Sequence, residues 1–79
     1  MYSLNKNFVE RPDEKCYFDS VQFRVIQMNP TGYAILSHLD GRPFEQSEYF
    51  QYCNDMRVTP EASTKFWEKC LEKHLIVMA

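Results

Sequence analysis

The sequence predicts a small α+β domain in which a short antiparallel sheet precedes three helices. Three observations carry this prediction. Up to Met28 the apolar residues fall in short runs rich in β-branched and aromatic side chains, separated by turn residues. From Pro30 onward they recur at helical spacing. Between the two halves, Asn29-Pro30 is a helix start: Asn29 can accept from a free amide of the first turn, and Pro30 suits the first helical position. A chain of 79 residues has room for one domain, spanning residues 1–79, with a small core.

Residues 1 to 14 are polar and mixed, with Phe8-Val9 an adjacent apolar pair, so a short edge strand is expected over Asn7 to Arg11. Pro12-Asp13 ends it. Cys16-Tyr17-Phe18 is the second strand, and Asp19-Ser20 supplies a turn. The third strand is expected over Val21 to Met28. Val21, Phe23 and Val25 share one face, with Gln22 and Arg24 on the other, and Ile26 and Met28 then reverse the parity. Such a reversal calls for a bulge near Val25-Ile26 or for cover on both faces of the strand's end.

The first helix is expected over Pro30 to Leu39, with Ile35, Leu36 and Leu39 facing the core. Gly41 can take the left-handed conformation that closes it. Phe44 is placed to staple the start of a second helix over Glu45 to Cys53, which Asn54-Asp55 breaks. The third helix opens on Thr59-Pro60-Glu61 and runs to Lys73 or His74. Ala62, Phe66, Trp67, Cys70 and Leu71 fill about half of its circumference. That arc is wide enough for one flank to pack inward while the other walls a groove. Leu75-Ile76-Val77 reads as an extended apolar tail docked on the body.

Composition excludes several classes of function. A net charge of −2, with no basic run, argues against nucleic acid as the main partner. Cys16, Cys53 and Cys70 are odd in number and lack CxxC spacing, which suggests neither a zinc knuckle nor a disulfide framework. With no apolar run of membrane-spanning length and no signal peptide, the expected location is cytoplasmic. His38 and His74 share no metal-ligand spacing, and Gly32 and Gly41 form no phosphate loop. No catalytic residue, metal site or cofactor is therefore predicted.

Two features admit both a structural and a functional role. Lys65, Lys69 and Lys73 recur every four residues, either as a solvated face with Glu61 pairing to Lys65 or as a cationic rim for an acidic peptide. Trp67 is either core filler or an anchor lining a peptide groove.

Met28-Asn29-Pro30-Thr31-Gly32, Leu39-Asp40-Gly41 and the run Phe66 to Ile76 together resemble the PqqD-like family, the recognition elements for RiPP precursor peptides. The resemblance covers residues 8 to 77. It implies a winged-helix-like fold and a non-catalytic accessory subunit. That subunit binds the leader of a ribosomally made peptide and presents it to a modifying enzyme, often a radical SAM maturase. The family's docking mode, carried over, adds the leader as an antiparallel strand along Phe23, Arg24, Val25, Ile26, Gln27 and Met28. The wall opposite is then Phe66, Lys69, Cys70 and Lys73. The sequence departs from the family pattern at Ser47, Trp67, Cys70 and His74, the last standing where a helix-ending Gly is usual. A small winged-helix DNA-binding regulator is the alternative, although Glu61, Glu68 and Glu72 suit phosphates poorly. An exposed strand edge also allows two copies to pair as a homodimer.

Overall fold

Five strands and three helices follow one another in the computed structural model, which describes residues 1–79. They are β1 (Tyr2–Leu4), β2 (Phe8–Arg11), β3 (Cys16–Asp19), β4 (Arg24–Gln27), α1 (Pro30–Leu39), α2 (Gln46–Asp55), α3 (Pro60–Glu72) and β5 (Ile76–Met78). The expected three-stranded antiparallel sheet is β2-β3-β4, with the three helices after it. A second sheet, which local sequence does not announce, pairs β1 with β5. Tyr2 and Phe44 also exchange both backbone hydrogen bonds, at 2.7 and 2.8 Å, so β1 is held from both sides.

Both hairpins use four-residue loops whose last residue is left-handed: Lys15 at φ 52° and Phe23 at φ 54°. The expected strand over Val21 to Met28 is therefore shorter, because Val21, Gln22 and Phe23 belong to the loop. This corrects the parity as well. Ile26 is the buried residue of β4, while Val25 is 45% exposed on the opposite face and Phe23 is 78% exposed. No bulge is required, since the apparent switch came from counting loop residues as strand. Asp19 organises the turn, its Oδ1 accepting from the amides of Val21 and Gln22 and its Oδ2 from Arg24 Nε.

The helix ends follow local chemistry closely. Asn29 Oδ1 accepts from Gly32 N at 2.7 Å, and Thr59 Oγ1 accepts from Ala62 N at 3.2 Å. Gly41, at φ 89°, follows α1. Helix α2 runs two residues past the expected stop, because Asn54 and Asp55 stay helical until Arg57 turns left-handed at φ 63°. There Arg57 N donates to Asn54 O and Val58 N to Cys53 O, the paired bonds of a Schellman motif. His74, at φ 61°, closes α3 in the same way, with His74 N bonded to Leu71 O and Leu75 N to Cys70 O. The residue standing in place of a helix-ending Gly thus adopts a glycine's conformation. Arg57→Gly and His74→Gly should each raise stability by about 1 kcal/mol, the cost of a left-handed non-glycine residue less the extra freedom of the unfolded chain. Urea melts would show a higher midpoint with an unchanged slope.

The core lies between the helices and the two sheets. Ile35, Leu36 and Leu39 of α1 meet Tyr49 and Cys53 of α2 and Trp67 and Cys70 of α3. Phe44, Leu75 and Ile76 close it from the connecting and terminal segments, as expected of a docked tail. From the three-stranded sheet, Tyr17 and Ile26 join this cluster, and Cys16 and Asp19 are buried as well. On α3 the buried set is Ser63, Trp67 and Cys70, whereas Ala62 and Leu71, the two ends of the expected apolar arc, are exposed. Trp67 is core, ringed by Tyr2, Phe44, Tyr49 and Phe50. No helix is long and apolar enough to cross a membrane.

Candidate peptide-binding edge

β4 pairs only with β3, so its second edge is free. Which backbone groups it offers follows from the ladder's alternation. Ser20 N donates to Asn7 O, so Phe18, two residues earlier, also directs its backbone groups toward β2. Tyr17 and Asp19 then point toward β4 and pair with Ile26 and Arg24. Val25 and Gln27 are left with N–H and C=O directed outward.

Helix α3 approaches this segment at both ends. At one end, the half-buried Phe66 ring lies so close to Gly32 that a Cβ there would sit 3.0 Å from Phe66 Cζ. Gly32 lies in the first turn of α1, which follows β4, and the half-buried Met28 and Phe66 both pack on the core. At the other end, Lys73 and His74, just past α3, share a cavity of about 170 Å³ with Val21, Gln22 and Arg24 and with Asn5, Asn7, Phe8 and Asp19. The largest cavity, about 610 Å³, lies elsewhere, between β1 and the α1–α2 connection.

The residues named from the sequence divide into three groups. Phe23, Val25, Gln27 and Lys69 are exposed, and Arg24, Met28, Phe66 and Lys73 are half-buried. Ile26 and Cys70 are buried, at 7% and 0% exposure, and back the two walls without lining them. Burial pushes the Cys70 thiol up to about 12, the mark of a packing cysteine. The Lys stripe also divides. Lys65 pairs with Glu61 at 3.3 Å, whereas Lys69 and Lys73 have no acidic partner within 4.0 Å.

Sequence reasoning missed Asp19 and Asn5. Burial alone would raise the Asp19 carboxyl, but the Gln22 and Val21 amides and the Arg24 guanidinium hold it below the usual carboxylate range. It therefore stays charged and fixes Arg24. Asn5 Nδ2 donates to His74 O at 3.0 Å, tying the β1–β2 connection to the end of α3. The Asp19-Ser20 turn signal was visible in the sequence, but the 69-residue reach of Asn5 was not. No three His, Cys, Asp or Glu side chains are grouped to hold a metal ion. Comparison of the chain with protein-family models, curated proteins and solved structures gives no match.

Phe23 combines two unfavourable properties. It holds a left-handed backbone angle and exposes most of a large aromatic ring. Its neighbour Phe18 lies 6.4 Å away between ring centroids, and Val25 is exposed on the same side. The free chain gains little from this arrangement, whereas an incoming strand would bury it.

Proposed function

We propose that this chain is a non-catalytic recognition module for the leader segment of a ribosomally made precursor peptide. The leader adds to the free edge of β4 as an antiparallel strand and lies against α3, and the module presents the attached core segment to a modifying enzyme such as a radical SAM maturase. The arrangement is winged-helix-like in the sense the family resemblance implies. The observation that carries the reading is the unpaired β4 edge, with α3 approaching at both of its ends. Strand addition draws affinity from backbone groups of this kind and specificity from alternate side chains. The unpaired Lys69 and Lys73 favour an acidic leader. Exposed Glu61, Glu68 and Glu72 on α3 weigh against a phosphate backbone as ligand.

The test is an amide NMR titration with the leader of a short precursor peptide encoded beside this chain's gene. Saturable shifts concentrated in residues 23–28 and 66–73 support the reading, and shifts confined to other surfaces sink it. The substitution Phe23→Gly sharpens the test, because its two effects should have opposite signs. Relief of the left-handed strain should stabilise the fold by about 1 kcal/mol, while loss of the ring should weaken leader binding about three- to tenfold.

A further inference from the structure

The geometry points to a sequence rule for the bound peptide: an apolar residue followed, two positions toward the C-terminus, by a carboxylate. We infer this from the face that each β4 residue presents, and the inference rests on the strand-addition reading above. Let the peptide residue opposite Val25 be the reference. In an antiparallel strand the preceding residue then lies opposite Ile26 and the following one opposite Arg24. Both of these side chains project to the face that carries Ile26 and Arg24.

The two neighbours meet different surroundings. The residue opposite Ile26 faces the apolar end of the cleft, where Met28 and Phe66 are half-buried. The residue opposite Arg24 lies beside its guanidinium, which with Lys73 borders the 170 Å³ cavity that also reaches Phe8 and Asp19. Arg24 bonds Asp19 through Nε alone, at 3.3 Å, so both terminal amino groups of its guanidinium lack a partner within the protein. Lys73 is half-buried without an acidic partner. Asp19 lines the same cavity, but its oxygens are already taken up by two amides and Arg24. One uncompensated positive charge with open donors remains, which suits a single Asp or Glu side chain. Antiparallel addition sets the order: the acid follows the apolar residue.

Three heptapeptides test this on the intact chain by amide NMR titration. The first is acetylated Thr-Val-Leu-Thr-Glu-Thr-Val amide, the second replaces its Glu with Gln, and the third exchanges its Leu and Glu. The first should bind about tenfold more tightly than either of the others, the effect of one charge-assisted contact. In the Lys73→Met variant that preference should fall about threefold or more. Equal affinity for the Glu and Gln peptides would overturn the carboxylate subsite and leave strand addition standing. Preference for the exchanged peptide would overturn the antiparallel order. Absence of shifts along residues 23–28 with all three at millimolar concentration would overturn both the rule and the reading beneath it.

Discussion

Val25→Pro should abolish leader binding while leaving the domain folded. Proline lacks the N–H that Val25 offers to an incoming strand, and its ring occupies the space in front of that edge. The same change does little to the resident sheet, because Val25 directs its backbone groups away from β3 and its side chain is 45% exposed. A loss of at least about tenfold in affinity is expected, together with a stability change below about 1 kcal/mol. Ile26→Pro is the contrasting variant. It removes a β3–β4 hydrogen bond and a buried side chain, and should cost about 3 kcal/mol or more. Isothermal titration of the leader and urea melts of both variants separate the two effects. Unchanged affinity in folded Val25→Pro would place the docking edge elsewhere.

Trp67→Ala should bring the domain close to its stability limit. The indole lies 4.9 Å from Tyr2 and 4.8 Å from Tyr49 between ring centroids, with Phe44 and Phe50 just beyond. It is 5% exposed, so truncation leaves a large cavity and should cost about 3–5 kcal/mol. A domain of this length has roughly 4–12 kcal/mol in total. At about 4–8 °C per kcal/mol, Tm should fall by at least about 12 °C in a circular-dichroism melt. Because Tyr2 stacks edge-on against Trp67, the β1–β5 pair should lose hydrogen-exchange protection before the β2–β4 sheet does. A Tm loss of only a few degrees would show that the cluster repacks around the gap.

The two variants probe separate parts of the candidate site, the β4 edge and the anchoring of α3. Trp67 and Cys70 hold α3 against the core, and Phe66, Lys69 and Lys73 lie toward the β4 side or solvent. A helix with such a division can be firmly anchored and still present a wall to a ligand. The strained Phe23 shows the same division in the hairpin, where exposure and a left-handed angle cost stability that a bound strand would offset.

Much of the fold was legible locally. Asn29, Pro30, Thr59 and Pro60 start their helices through side-chain oxygens and a fixed φ, effects that act within three residues. The faces of α1 and the hairpin at Asp19-Ser20 also follow from short-range pattern. What stayed hidden depended on distant parts of the chain. Tyr2–Leu4 has no strand pattern of its own and becomes β1 because Ile76–Met78 and Phe44 supply its hydrogen bonds. The length of β4 was misjudged because Val21 and Phe23 look like strand residues, and only the β3 register makes them loop.

The same division runs through the candidate site. The family resemblance named the β4 residues and the wall on α3, whereas the Lys65, Lys69, Lys73 stripe was legible from helical spacing alone. Tertiary structure decided that Ile26 and Cys70 face inward and that Arg24 and Lys73 border one cavity, whereas the Glu61–Lys65 pair is a local contact one helical turn apart. Periodicity determines which residues share a face, but the direction of that face depends on contacts with distant parts of the chain.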